Sequence, residues 1–129
     1  MTSRSAVGIR FTAKPVAQSS AMHFEVPEPN LDFDSADVLK APLADAVSNS
    51  ISEGYRAFIL DLTSVDRIDS CGVGLLIAMH HQVVASGGTL KVVVISPFVR
   101  KVLRMMRLDR FLDLETTVER ALRTLVDVD

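Results

Sequence analysis

The residues with the clearest capacity for chemistry lie in the polar stretch between Asp61 and Leu75. An apolar strand is predicted to end near Leu62, and a helix is predicted to begin just after Ser70. The Ser70 hydroxyl would then lie at a helix N-terminus, where unpaired N–H groups and the helix dipole favour an anion. A phosphoryl group there would add about −1.5 to −2 charges beside Asp69. A phosphoryl group on this hydroxyl would therefore be tolerated locally, and it would change the surface charge sharply.

A simpler interpretation of the same residues is purely structural. Asp and Ser are the preferred N-caps of helices, so Asp69 or Ser70 could serve only to cap the helix that follows. Gly72 and Gly74 would then allow that helix to approach the sheet closely. Sequence chemistry alone leaves both interpretations open.

Cys71 and the histidines offer a weaker case for catalysis or metal binding. A nucleophilic thiol needs a positioned base, and His80 and His81 lie a helix length away from Cys71. Adjacent residues on a helix point about 100° apart, so these two histidines are poorly placed to share a metal. His23 lies in a different predicted element. We predict no metal site and a packing role for Cys71.

Composition narrows the class of protein. The chain has 129 residues, of which 48% are hydrophobic and 23% charged, the balance of a globular domain. A net charge of −2 argues against nucleic-acid binding, which needs a basic footprint. No apolar run approaches the roughly 18–20 residues that cross a bilayer, and the N-terminus lacks the apolar core of a signal peptide. We therefore expect a cytoplasmic protein without membrane insertion.

Hydrophobic periodicity predicts the elements that must position the Ser70 loop. Strands are predicted at 7–13, 20–26, 57–62, 90–95 and 111–114, the first two as a hairpin. Helices are predicted after a cap at Asp34 or Ser35, with a kink or restart at Pro42, then at 71–86, after Ser96-Pro97, and after a capping box at Thr116. Strands that alternate with helices imply an α/β fold with a mixed, mostly parallel sheet. We expect one domain over residues 1–129, with residues 1–5 as a loose start.

The same periodicity predicts which helix faces are buried. In the helix after Ser70, the inner stripe is predicted to contain Val73, Leu76, Ile77, His80 and Val84. Leu75 and Met79 would lie on the opposite, exposed face, where they could form a partner surface beside Ser70. In the helix after Ser96, the predicted inner residues are Phe98, Val102, Met105 and Met106. The arginines of that helix, Arg100, Arg104 and Arg107, are expected to form a solvated face or to dock an acidic patch.

Several spaced motifs resemble the STAS-domain anti-sigma factor antagonists. The similarity lies in Ile68-Asp69-Ser70 with Gly72, Gly74 and Leu75, in Asp61-Leu62, in Gly87-Gly88, and in Leu31-Asp32 upstream. Downstream, Ser96-Pro97 and the segment from Glu119 to Leu122 fit the closing half of that family. The resemblance runs from about residue 20 to the C-terminus.

The resemblance implies a binding protein and not an enzyme, with no cofactor. By position, Ser70 would be the phosphoacceptor, and the partner-binding residues would include Asp32, Asp69, Cys71 and Gly72. In that family the unphosphorylated antagonist captures an anti-sigma factor that is also a serine kinase, and a serine phosphatase resets the phosphorylated form. We expect a monomer between partners.

Two departures from the family pattern affect this site. Cys71 replaces a common second Ser, and Val73 replaces the usual Leu, but the acceptor Ser70 is intact. Three other functions stay open at this point: a STAS subunit of a larger assembly of the stressosome or lipid-transport kind, a small-molecule or nucleotide sensor, and a thiol-dependent enzyme.

Overall fold

The computed structural model describes residues 2–4 and 10–126, and the side chains of residues 10–125. Eight strands are present in this part of the chain: β1 (Thr2–Arg4), β2 (Arg10–Pro15), β3 (Ala21–Glu25), β4 (Asn30–Leu31), β5 (Ala57–Asp61), β6 (Arg67–Ile68), β7 (Thr89–Val93) and β8 (Asp113–Glu115). The helices are α1 (Phe33–Ser52), α2 (Ser70–Ala85), α3 (Pro97–Met105) and α4 (Val118–Val126), with a 3-10 turn at Leu108–Arg110.

Six of these strands form one sheet in the order β1-β2-β3-β5-β7-β8. The pairs β1–β2 and β2–β3 are antiparallel, whereas β3–β5, β5–β7 and β7–β8 are parallel. This arrangement confirms the predicted α/β fold with a mixed, mostly parallel sheet and an N-terminal hairpin. The remaining strands, β4 and β6, form a separate two-stranded parallel sheet that the sequence did not predict.

Both faces of the central strands are covered, as their continuous apolar runs predict. On one face, Phe58, Leu60 and Val92 belong to the main core, which also holds the inner residues of α1, α2 and α3. On the other face, Ile59 and Val93 pack against α4. Because successive side chains of a strand point to opposite faces, this alternation follows directly from the strand geometry.

Helix α1 differs from the expectations at its start and in its middle. Its N-cap is Asp32, two or three residues before the predicted caps Asp34 and Ser35. Its twenty residues are one continuous helix through Pro42, with no restart. Proline removes one N–H donor and is unfavourable by about 3 kcal/mol in a helix interior. Burial of Leu39, Leu43 and Val47 in the core supplies the compensating stabilisation.

Helix α3 begins where the sequence predicts, but the residues on its buried face differ from the predicted ones. Ser96 is the N-cap, with its hydroxyl accepting the Val99 N–H, and Pro97 is the first helical residue. The buried residues of α3 are Val99 and Leu103, whereas Phe98, Met105 and Met106 are exposed. The prediction of those three as inner residues was wrong, since hydrophobicity alone does not decide which face of a helix meets the sheet.

Smaller differences affect the two ends of the chain. Residues 2–4, expected to be a loose start, pair with β2, and the predicted strand at 7–13 falls partly outside the described residues and begins at Arg10 in the described part. Near the other end, Thr117 and not Thr116 caps α4, because its hydroxyl accepts the Arg120 N–H at 3.0 Å. The short last strand is shifted by two residues from its predicted start.

Candidate functional site

The small sheet of β4 and β6 brings the starts of α1 and α2 together. Asn30 pairs with Arg67 and Leu31 pairs with Ile68, both in parallel register. The residue after each strand is an aspartate, Asp32 or Asp69, and each of these is the N-cap of the helix that follows. Two capped helix N-termini therefore lie side by side, although 37 residues separate the two caps in the sequence.

Asp32 caps α1 through a reciprocal pair of hydrogen bonds with Ser35. The Asp32 Oδ1 accepts the Ser35 N–H at 3.2 Å, and the Ser35 hydroxyl accepts the Asp32 N–H at 2.9 Å. The same buried hydroxyl donates to the Asn30 carbonyl oxygen at 2.9 Å. This capping box fixes the direction in which the chain leaves β4 and enters α1.

Asp69 has a larger role, because its carboxylate connects both helices. Its Oδ1 accepts the N–H groups of Cys71 and Gly72 at 2.8 and 3.0 Å. Its Oδ2 accepts the N–H of Phe33 at the start of α1, at 3.0 Å. The expectation that Ser70 meets unpaired N–H groups is thus corrected, because the Asp69 carboxylate already occupies the N–H groups of Cys71 and Gly72.

Ser70 is the first residue of α2, and its neighbour Cys71 is the second; both are exposed. We call Asp32, Phe33, Asp69, Ser70 and Cys71 together the Ser70 surface. The Phe33 side chain is 62% exposed, which is unusual for a phenylalanine and was missed by the sequence analysis. The available signal was its position directly after the capping Asp32.

Gly72 is a packing residue, and it is buried. A Cβ atom at this position would lie 2.1 Å from the Leu31 carbonyl oxygen and 2.7 Å from Ile68 Cγ1. Helix α2 can therefore approach β4 and β6 this closely only without a side chain there. Gly74 differs, since a Cβ atom at that position would have nothing within 4 Å. The structural interpretation of the motif holds for Gly72 and not for Gly74.

Leu75 and Met79 do not lie on an exposed helix face as predicted, although Leu75 lines a groove between α1 and α2. A partner contact at these two residues stays a prediction. Their exposed fractions are 6% and 2%, and both belong to the main core. The predicted inner residue Val84 is instead 50% exposed, and Val83 is buried in its place. The physical reason is that α2 packs against both α1 and the sheet, so its buried arc is much wider than a single stripe.

An apolar groove of about 330 Å³ lies beside the Ser70 surface, between α1 and α2. Phe33 and Ala36 line it from α1, and Cys71 and Ala78 line it from α2. Asp37 and Lys40 also line this groove. The groove offers an apolar contact area with one acidic and one basic residue at its side, next to the candidate phosphoacceptor.

A second, smaller hollow lies beyond Asp69 and is lined by Asp32, Arg67 and Phe98, among others. The Arg67 guanidinium carbon is 5.1 Å from the centre of the Phe98 ring, which is a cation–π geometry. This contact holds the arginine close to the two capping carboxylates and connects the Ser70 surface with α3.

Asp61, at the end of β5, supports the loop that leads to Ser70. Its carboxylate pairs with His23 Nε2 at 2.9 Å and accepts the Thr63 N–H at 3.0 Å. Burial alone would raise the pKa of Asp61, but the bonds with His23 and Thr63 outweigh it and lower that pKa below its ordinary value of 3.8. Asp61 is therefore a structural anchor that stays ionised at neutral pH and is held in place by its hydrogen-bond partners.

The described residues provide little for metal or thiol chemistry. Within them, no group of three or more His, Cys, Asp or Glu residues could hold a metal ion. His80 lies nine residues after Cys71 on the same helix, a rise of about 14 Å. Burial, followed by the nearby His81, lowers the pKa of His80, although Asp113 acts in the opposite direction. Its ring packs 4.3 Å from that of Phe111, centre to centre.

Among the helices of the described residues, none has both the length and the apolar character that a membrane span needs.

Comparison with known proteins now identifies the fold. The family model of the STAS domain matches residues 13–121. The chain belongs to the STAS domain family. A curated Thermotoga maritima protein, whose name assigns it to the anti-sigma factor antagonists, is 28% identical over 97 residues, which are 75% of this chain and 83% of the relative.

Solved STAS structures share the architecture. An anti-sigma factor antagonist from Mycobacterium paratuberculosis superposes with a TM-score of 0.72 at 21% identity, covering 97% of this chain and all of that one. The anti-sigma factor antagonist SpoIIAA in its unphosphorylated form gives a TM-score of 0.69 at 22% identity, covering 92% and 98%. These similarities confirm the resemblance on which the sequence analysis relied.

Proposed function

We propose that this STAS domain is a phosphorylation-switched antagonist that captures an anti-sigma factor serine kinase while Ser70 is unmodified. The observation that carries the proposal is the position of Ser70. It is exposed in the first turn of α2, on a backbone that Asp69 fixes through three N–H groups from two helices. A kinase can reach such a hydroxyl without unfolding its surroundings.

The switch that we propose is electrostatic and local. A phosphoryl group on Ser70 would bring about −1.5 to −2 charges next to the Asp69 carboxylate. Because that carboxylate already pairs with the N–H groups of Cys71 and Gly72, it competes with the new charge for them. The phosphate would therefore remain at the surface, where it imposes repulsion and desolvation on a docked partner. The fold itself would change little.

The apolar groove beside Ser70 supplies the contact area in this proposal. The Phe33 side chain on its rim is 62% exposed, and large aromatic residues often dominate binding energy at protein interfaces. The Asp32, Asp69, Ser70 and Cys71 positions would surround the contact. Gly72 would act indirectly by setting the position of α2.

The relatives support this proposal by their names and by their chemical states. The Thermotoga maritima relative carries the name of an anti-sigma factor antagonist. SpoIIAA has been solved in unphosphorylated and phosphorylated forms, the latter with a TM-score of 0.62 to this chain at 21% identity. In our proposal the kinase supplies ATP and its metal ion, a serine phosphatase reverses the modification, and the free antagonist is a cytoplasmic monomer.

The decisive experiment is the intact mass of the protein after incubation with ATP and the anti-sigma factor serine kinase encoded in the same genome. We expect a single added phosphate on wild type and on Ser64→Ala, a control at a second exposed serine of the same loop. We expect none on Ser70→Ala. Binding of the kinase to wild type and to Ser70→Ala should be retained, and binding to the phosphorylated form should be lost. A kinase that is active on itself but leaves wild type unmodified would contradict the proposal.

A Cys71→Ser variant completes the test of the site. Since many members of the family have Ser at this position, the proposal expects normal capture and normal phosphorylation. An activity or binding that disappears with Cys71→Ser but survives Ser70→Ala would instead favour thiol chemistry.

A further inference from the structure

Helix α3 and the turn after it carry an unusual concentration of exposed apolar side chains. Seven large hydrophobic residues are exposed in the part of the chain whose side chains the structure describes, and five of them lie between residues 95 and 111. These five are Ile95, Phe98, Met105, Met106 and Phe111. Single exposed apolar residues are normal, but a concentration in one segment indicates an interaction site.

The same segment is strongly cationic. Residues 95–111 contain five arginines and lysines and one aspartate, which gives a formal charge of +4. Because the whole chain has a formal charge of −2, the remainder carries −6. The segment is thus a basic region on an acidic protein, and such asymmetry steers binding partners of the opposite charge.

Helix α3 presents its apolar and its cationic side chains on adjacent faces. Phe98, Lys101 and Met105 are all exposed and lie within about 60° of one another around the helix, at 100° per residue. Arg104 is exposed on the flank of this stripe. We call Phe98, Lys101, Arg104 and Met105 the α3 surface. Lys101 lies at the edge of the apolar stripe and next to Arg104, so the α3 surface is best complemented by carboxylates beside an apolar contact.

Two contacts join α3 to β6 and the residue before it, the segment that leads to the Ser70 surface. The Ser96 hydroxyl, at the cap of α3, donates to the Asp66 carbonyl oxygen at 2.8 Å, just before β6. The Arg67 guanidinium lies over the Phe98 ring. Phe98 also lines the hollow that Asp32 and Asp69 line. Because this hollow borders both surfaces, a partner docked at Ser70 could extend across it onto α3.

We infer that the α3 surface is a second docking site for the same kinase, and that it receives an acidic protein surface with apolar residues at its centre. This inference rests on the proposed function and adds the chemistry of the partner to it. The α3 surface steers the approach through Lys101 and Arg104 and holds the complex through Phe98 and Met105. Because Ser70 is not part of it, this contact is independent of the modified hydroxyl.

The test is the association and dissociation kinetics of the protein with that kinase at low and high salt. We expect Lys101→Glu combined with Arg104→Glu to slow association about tenfold at low salt, with a smaller effect at high salt. Met105→Ser should mainly speed dissociation. Arg123→Glu, which reverses an exposed charge on α4 across the sheet, is the control and should change association by less than about twofold. Circular dichroism and thermal unfolding confirm that each variant is folded.

The outcomes separate this inference from the proposed function. If wild type neither binds the kinase nor is phosphorylated, both fail. If wild type binds but Lys101→Glu with Arg104→Glu has no more effect than Arg123→Glu, only the α3 inference fails. The inference is also overturned if the α3 variants bind the kinase normally but lose binding to phosphatidylglycerol vesicles, or if they only abolish self-association in sedimentation.

Discussion

The Ser70 surface and the α3 surface are neighbours built in opposite ways. At the Ser70 surface, the backbone is fixed by hydrogen bonds and close packing: Asp69 accepts three N–H groups, and Gly72 lies against the Leu31 carbonyl oxygen. In α3, only Val99 and Leu103 are buried, and the outward side chains of the α3 surface are apolar or cationic. The comparison teaches that the position of the candidate phosphoacceptor is set by backbone geometry, whereas the proposed contact area is set by side-chain chemistry.

The strongest test of this comparison is a side chain at Gly72. Gly72→Val should destabilise the fold by about 3 kcal/mol, because even its Cβ atom meets backbone at 2.1 Å. Gly74→Ala is the matched control, and it should stabilise by about 0.5–1 kcal/mol, since it has open space in a helix interior. Urea unfolding of both variants measures the difference. Equal stabilities would show that the close approach of α2 is not required.

Removal of the Asp69 carboxylate should have the next largest effect. Asp69→Ala leaves the N–H groups of Phe33, Cys71 and Gly72 without their acceptor, and we expect a loss of about 2 kcal/mol. Asp69→Asn retains an acceptor oxygen and should lose less. Chemical denaturation gives both values, and hydrogen exchange at residues 71 and 72 locates the change. A uniform change in exchange across the domain would contradict the local role.

Acid titration tests the anchor behind the Ser70 loop. The pKa of Asp61 is lowered in the folded protein, so its contribution to stability is complete above pH 3.8 and is lost as pH falls through the folded-state pKa. Asp61→Asn should be less stable by about 1 kcal/mol at neutral pH, because a charged hydrogen bond is lost.

The difference between wild type and Asp61→Asn should narrow below pH 3.8. Thermal unfolding from pH 7 to pH 3 measures it. A difference that stays constant over this range would mean that the carboxylate charge contributes nothing.

The smallest effect is expected at the α3 surface. Met105→Ser should change stability by no more than about 0.5 kcal/mol, because Met105 is 73% exposed. Leu103→Ala, two residues earlier on the buried face, should be destabilising by about 2–4 kcal/mol. If the two variants had similar stabilities in urea, the assignment of the buried face of α3 would be wrong.

Much of the fold could be predicted from the sequence because it depends on local patterns. The apolar run at 57–62 predicted a strand buried on both faces, and Ser96-Pro97 predicted the start of α3 to the residue. The spacing of Asp69, Ser70 and Gly72 predicted a helix N-terminus at the candidate site. Strand burial, helix capping and turn formation each depend on residues that are close together in the chain, so sequence patterns predict them directly.

The tertiary structure alone decided which helix faces are buried and which groups meet at the site. Leu75 and Met79 are core residues because α2 contacts both α1 and the sheet, and no periodicity within α2 specifies a second neighbour. Asp69 meets the Phe33 N–H only because β4 and β6 pair across 37 residues of sequence. Contacts of that kind depend on the position of other elements, and those positions are fixed only when the whole core is packed.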